Sequence, residues 1–269
     1  MAISSKGKAL VTGASTGIGA IYADRLAKRG FDLVVVARNE KQLRELAARI
    51  ESGTGRSVEV LPADLSKEAD LQVVEQKVIG DPDLTLLVNN AGIAGSAKLA
   101  DDDLEEIDNI IKLNILALTH LSAAAAKSFA ARGRGTIINI ASVLGLIPER
   151  FNATYSASKA YVLALTQSLN VELQGSGVKV QAVLPGATRT EIWQRSGHDV
   201  NALPAEMVMD ADEMVDAALA GLDQGELVTI PSLPDVSDWK RFEDARGALA
   251  PNLSLQHAAT RYKHQRPAA

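Results

Sequence analysis

The stretch Ala9-Leu-Val-Thr-Gly-Ala-Ser-Thr-Gly-Ile-Gly19 decides the fold. An apolar run passes through a turn with three glycines straight into a helical pattern over 17–29. The same alternation repeats down the chain. Further apolar runs stand at Leu33–Val36, Val58–Leu61, Leu84–Val88, Thr136–Ile140, Val178–Leu184 and Leu227–Ile230. Helical patterns over 40–51, 67–79, 103–131, 155–174 and 211–223 separate them. Several runs are apolar almost throughout, as strands are when both faces are covered. Strict strand–helix alternation predicts βαβ crossovers, and so an α/β, doubly wound, seven-stranded parallel sheet with helices on both faces. No linker, repeat or low-complexity tract interrupts residues 1–269, so one domain is expected.

Composition narrows the function. A hydrophobic share of 46% in 269 residues is ample for a large core, and a net charge of −5 gives no sign of a nucleic-acid surface. With 0 cysteines, disulfides, thiolate chemistry and cysteine-bound zinc are excluded. His120, His198, His257 and His264 do not fall at metal-ligand spacing, so no metal is expected. The N-terminus lacks the apolar core of a signal peptide, and no uninterrupted apolar stretch approaches the ~20 residues of a membrane span. A cytoplasmic protein with no membrane partner is the expectation.

The glycines Gly13, Gly17 and Gly19 allow a tight turn, close ligand approach and packing of helix on strand. The helix that starts there aims free N–H groups and its positive dipole end at a bound pyrophosphate. No Lys-Ser/Thr pair follows, which disfavours a nucleoside triphosphatase. Strand two ends at Ala37-Arg38, where a dinucleotide's adenosine ribose would lie. Ala37 leaves that point uncharged and Arg38 offers a cationic fork to phosphate, which selects NADP(H) over NAD(H). Asp64 either accepts from the adenine amino group or caps a helix starting near Ser66. Asn89-Asn-Ala-Gly92 suits a turn that ties neighbouring loops together. Asn114 falls on one stripe with Ile107, Ile111, Leu118 and Leu121, a polar group in an apolar seam. Ser142 follows strand five. Tyr155 and Lys159 share a helical face, where an ammonium would favour the phenolate and make the phenol a proton donor and acceptor for carbonyl/alcohol chemistry.

Together these residues resemble the short-chain dehydrogenase/reductase family over roughly 6–230, a Rossmann-type fold. The resemblance implies a catalytic set of Asn114, Ser142, Tyr155 and Lys159. Tyr155 would exchange the proton at the substrate oxygen while hydride passes to or from nicotinamide. Lys159 would lower the Tyr155 pKa and hold the ribose, Ser142 would steady the substrate oxygen, and Asn114 would hold a relay water. Cofactor contacts would come from Gly13, Ser15, Thr16, Gly17, Ile18 and Gly19 in the first turn, with Arg38, Asp64 and Leu65 beyond it. Asn90, Ala91 and Gly92 would follow, then Tyr155, Lys159, Pro185, Gly186, Thr188 and Thr190. A homotetramer or homodimer built on helices 103–131 and 155–174 is also implied.

Substrate walls are expected at 93–102 and 143–154, with 187–209 as a lid carrying Ile192, Trp193, Leu203, Met207 and Met209. Trp193 would touch substrate or fix the lid. Asp210-x2-Glu213 reads as a capping box. Residues 231–269 form an extension that departs from the family pattern. Within it, 235–249 reads as a helix with Trp239 and Phe242 on a packing face, ending in a basic tail through Arg266. The expected activity is NADPH-dependent interconversion of a small carbonyl compound and its secondary alcohol. A non-catalytic dinucleotide sensor and an epimerase or dehydratase are the alternatives.

Overall fold

A computed structural model describes residues 6–95 and 97–263, excluding the Arg195 side chain. His264 and the last part of the expected basic tail lie outside the described residues. The chain divides into two units between Pro231 and Ser232, at the start of the expected extension.

In the first unit, successive strand residues are buried on opposite faces. The strands are β1 Lys8–Thr12, β2 Asp32–Ala37, β3 Val58–Pro62, β4 Leu84–Asn89, β5 Gly135–Ile140, β6 Val178–Val183, β7 Thr188–Arg189, β8 Met209–Asp210 and β9 Val228–Thr229. Seven of them form one parallel sheet in the order β3-β2-β1-β4-β5-β6-β9. Ala9, Val11, Leu33 and Val35 pack on α1 (Gly17–Lys28), α2 (Glu40–Thr54) and α8 (Ala211–Gln224). Leu10, Val34, Val36 and Leu87 pack on the other face against α3 (Glu68–Gly80), α5 (Leu118–Ala131) and α6 (Ala153–Glu172). Strand order reverses between β1 and β4, which opens a crevice at their carboxyl ends, where such sheets bind ligands.

The helical pattern over 103–131 is continuous but not uniform. α4 (Leu104–Ile110) passes through a π-helical segment, Ile111–Ala117, into α5. A π turn takes up more residues than an α turn and shifts the buried stripe. Ile110 is therefore buried, whereas Ile111, expected on the seam, is 43% exposed. Asn114 sits at the centre of this segment and is buried. By length and composition alone, Leu104–Ala131 is long and apolar enough to cross a membrane, although charged residues interrupt it. Its buried side instead joins the sheet core through Leu121, Ala125 and Phe129.

Beneath the crevice a polar network crosses the core. Asn89 donates to Asn139 Oδ1 (2.9 Å) and Ser122 Oγ (3.0 Å), and Asn139 donates to Thr166 Oγ1 (2.9 Å). These bonds join β4, β5, α5 and α6 below the carboxyl end of the sheet. Asp210 precedes α8 without making the expected side-chain cap, and its carboxylate pairs with Arg189 at 3.4 Å.

The second unit contains α9 (Val236–Gly247), whose N-terminus is capped by Asp235 accepting from the Ser237 N–H at 2.8 Å. Trp239 and Phe242 stack on each other at 5.3 Å, and no residue of α9 is buried.

Truncating Asn139 removes the acceptor of an Asn89 N–H and the donor to Thr166 Oγ1 in a buried core. Asn139→Ala is expected to lower the unfolding free energy by about 3 kcal/mol in urea titration. A loss under about 1 kcal/mol would mean that the network does not hold these elements together.

Candidate active site

Thr12 and Asn90 staple the ends of β1 and β4 together. The Thr12 hydroxyl donates to the Val88 carbonyl at 3.2 Å and accepts from the Asn90 and Ala91 N–H groups, each at 3.0 Å. Asn90 Nδ2 donates to the carbonyls of Thr12 (2.9 Å) and Gly13 (3.2 Å). Gly13 and Gly17 take positive φ values of 64° and 53°. Gly19 serves a different need: a Cβ there would lie 2.3 Å from the Gly13 carbonyl oxygen. It lets α1 press against the turn and stands behind the cavity wall rather than in it. No side chain caps the first turn of α1, and no acidic residue opposes its dipole.

Above this turn runs a cavity of about 1470 Å³. That exceeds the ~300–1,000 Å³ of a site for one small molecule, so there is room for a cofactor and a substrate. Ser15, Thr16, Gly17 and Ile18 line it at the turn, and Arg38, Asp64 and Leu65 line one end. Asn90, Ala91 and Gly92 form its middle with Pro185, Gly186, Thr188 and Thr190. Ser142, Tyr155, Lys159 and Trp193 line the other end.

Arg38 makes no hydrogen bond among the described residues, and its charge acts on Asp64. Burial raises the Asp64 carboxyl, but bonds from Ser66 and the Arg38 charge outweigh it, and the net shift is downward. Asp64 accepts from Ser66 Oγ (2.7 Å) and N–H (3.2 Å), whereas α3 begins only at Glu68. It therefore holds a turn while still facing the cavity.

At the opposite end, Asn152 caps α6 by accepting from the Tyr155 N–H at 2.9 Å. The helix thus begins at Ala153, two residues before the expected start. Asn152 Nδ2 also donates to the Ala97 carbonyl, which ties the chain after β4 to the helix carrying Tyr155, while of the expected 93–102 wall Ile93 and Ala94 line the cavity. Ser142 is buried at the end of β5 and hydrogen-bonds the Tyr155 phenol. Lys159 Nζ donates to the Ile140 carbonyl at 2.9 Å and lies 5.5 Å from the Tyr155 ring centroid.

Asn114 does not line the cavity. Its Oδ1 accepts from the Ile93 N–H (2.9 Å), and its Nδ2 donates to the Ile93 carbonyl (2.9 Å) and Ser158 Oγ (3.1 Å). The relay role expected for it must do without the amide's donors, which are both engaged. Ser158 in turn donates to the Tyr155 carbonyl at 2.7 Å. Trp193 is half-buried, and its indole N–H donates to the Thr188 carbonyl at 2.8 Å. Of the apolar residues expected over the pocket, Ile192, Leu203 and Met207 line the cavity, while Met209 turns away to pack on the core.

The family model described as short chain dehydrogenase matches residues 7–201. The chain belongs to the short-chain dehydrogenase family. An uncharacterized oxidoreductase of Staphylococcus epidermidis is 34% identical over 223 residues, covering 82% of this chain and 93% of that protein. A short-chain dehydrogenase from Sphingobium yanoikuyae, solved with NADPH, superposes with a TM-score of 0.92 at 50% identity, covering 95% and 100% of the two chains. A bulky-bulky ketone specific alcohol dehydrogenase from Comamonas testosteroni gives 0.89 at 44% identity, covering 96% and 99%. This dehydrogenase is therefore an oxidoreductase on a nucleotide-binding fold of a family that binds NAD(P).

The electrostatics of the dehydrogenase differ from the simple sequence expectation. Burial pushes the Tyr155 phenol up to about 12, with the Ser142 hydrogen bond pulling the other way. Burial also pushes the Lys159 ammonium down to about 8. The half-buried phenol is thus protonated at neutral pH, and the expected lowering by Lys159 does not outweigh desolvation.

The Lys159 shift makes a stability prediction. Between about 8 and the ordinary lysine value of 10.5, the unfolded chain binds more protons at this residue than the native one. Folding stability from Lys159 therefore rises with pH across that window. The stability difference between wild type and Lys159→Met, measured by denaturant titration, is expected to move in favour of the wild type over this range. A difference that does not vary with pH would show that Lys159 is not desolvated.

Proposed function

We propose that this dehydrogenase is an NADPH-dependent ketone reductase, interconverting a ketone that carries apolar groups on both flanks and its secondary alcohol. The observation that carries the proposal is the meeting of Ser142, Tyr155 and Lys159 at one end of a cavity whose other end holds Arg38. The residues fit a dinucleotide: the turn is uncapped, and Gly92 leaves space where a Cβ would lie 3.1 Å from Asn114 Oδ1 and 3.6 Å from Lys159 Nζ. When bound, NADPH supplies the hydride.

The roles follow from the chemistry of the side chains. Tyr155 holds a proton on its phenol oxygen at neutral pH and gives it to the carbonyl oxygen during reduction. Ser142 donates to that oxygen as negative charge builds on it. Lys159 keeps a cation beside the phenol and orients the ribose. Arg38 takes the 2′-phosphate that distinguishes NADPH from NADH. Leu144, Ile147, Phe151, Trp193 and Leu203 give the substrate end an apolar wall, and the stretch 187–209 forms its lid. The bulky-bulky ketone specificity of the Comamonas protein supports the same substrate class. A sensor would have no need of the Tyr155–Lys159 pair.

Assembly is part of the proposal. Leu104, Ile111 and Leu116 on the 104–131 helix, with Tyr161 and Val171 on α6, are exposed apolar side chains that a second copy would cover. A homodimer or homotetramer follows, and light scattering behind a sizing column should report one; a strictly monomeric mass at micromolar concentration would overturn it.

Two substitutions test the chemistry. Tyr155→Phe should reduce turnover by at least ~100-fold while NADPH affinity stays within a few-fold, because a general acid is removed and little else. Substantial residual turnover would refute the assigned role. Arg38→Asp should weaken NADPH on the order of 10- to 100-fold by isothermal titration, because it removes a charged hydrogen bond. NADH should change little, and equal losses for the two cofactors would remove Arg38 from the phosphate site.

A further inference from the structure

Aromatic rings are scarce in this chain, with 4 Phe, 4 Tyr and 2 Trp, yet Phe151, Tyr155 and Trp193 line the same cavity. Phe151 immediately precedes the Asn152 cap of α6. Its ring stands edge-on to Tyr155, with centroids 5.8 Å apart and planes at 81°. It also meets the His198 imidazole at 5.3 Å and 60°. His198 belongs to the stretch 187–209 and lines the cavity as well. Its N–H donates to the Trp193 carbonyl at 2.8 Å, and the Trp193 indole N–H is anchored on Thr188 in β7. β7 pairs with β8 through Thr188 and Met209, closing the base of the excursion. Two walls from distant parts of the sequence therefore meet ring to ring beside the reactive phenol. The His198 ring makes no hydrogen bond among the described residues, so its place depends on packing.

On the functional reading given above, we infer that Phe151 and His198 are specificity-determining residues that receive a planar ring on one flank of the carbonyl, so that the preferred substrates are aryl ketones. Edge-to-face and offset geometries favour one aromatic ring against another beyond the area buried. A saturated ring of similar bulk gains the burial but not the aromatic contact. The Phe151–His198 contact also limits the width of that flank. A fused bicyclic substituent must part the two rings, whereas a single ring packs against them.

The test uses the purified full-length protein with NADPH and three ketones: phenyl, cyclohexyl and naphthyl, each with the same alkyl group on the other side. The wild type should favour phenyl over cyclohexyl in kcat/KM by about threefold to tenfold. Phe151→Leu keeps an apolar side chain and should bring that ratio near unity. His198→Ala should raise kcat/KM for the naphthyl ketone on the order of tenfold and alter the enantiomer ratio of its alcohol. NADPH affinity, measured separately, should stay unchanged in both variants, which separates this effect from damage to the fold. A phenyl/cyclohexyl ratio unaltered by Phe151→Leu, with no gain for naphthyl in His198→Ala, would overturn the inference while leaving the reductase reading intact. Failure of the wild type to reduce any of the three would overturn both.

Discussion

Lys159 carries an ammonium group into a place where little water reaches it. Its Nζ is held by the Ile140 carbonyl at 2.9 Å, and burial pushes its pKa down to about 8. A desolvated cation opposes folding unless partners are ready for it. Its position therefore constrains everything nearby. β5 must end at Ile140 so that its last carbonyl faces α6, and α6 must begin early enough to bring Tyr155 and Lys159 over that edge. Asn152 meets the second demand by capping the helix at the Tyr155 N–H. Ser158 and Asn114 meet a third, tying the Tyr155 turn to the strand-four loop through Ile93. The π-helical segment of the long helix places the buried Asn114 amide in that bridge.

On the proposed function, the same arrangement sets the direction in which the site is poised. Without a neighbouring positive charge strong enough to overcome burial, the phenol stays protonated well above neutral pH. That is the right state for delivering a proton to a carbonyl oxygen. It is the wrong state for removing one from an alcohol, which requires additional positive charge near the phenol. The polar network through Asn89 and Asn139 joins the strands and helices under this edge. The walls above them, by contrast, come from longer excursions joined by contacts between side chains.

Much of this was legible in the sequence because its signals are local. Alternating apolar runs gave the sheet, since a strand covered on both faces has to be apolar throughout. The glycine turn, Asn89-Asn-Ala-Gly92 and the Tyr155–Lys159 spacing are short patterns whose geometry follows from chain connectivity alone. The 103–131 helix was legible in extent but not in phase, because a π turn leaves no simple periodic mark and moves Ile111 to the surface. Of the roles the three glycines offered, Gly19 takes the packing one, lying close against Gly13 and Asn90 and not lining the cavity. Asn152 was readable in principle as a helix cap three residues before Tyr155. The meeting of Phe151 with His198 was not, because it depends on how two separate excursions fold over the cavity. The fate of Met209 and the unused Asp210 cap depended on tertiary partners in the same way.

The most direct measurement is the titration of the Tyr155 phenol by NMR with isotope-labelled tyrosine, in the free protein and with saturating oxidised cofactor. The free phenol should titrate near the value of about 12 that burial imposes. A bound oxidised cofactor would bring positive charge to this end of the cavity, and the phenol should then fall by several units toward neutral pH, a change large enough for Tyr155 to serve as acid and base in turn. A phenol that titrates at the same pH in both states would contradict the central claim.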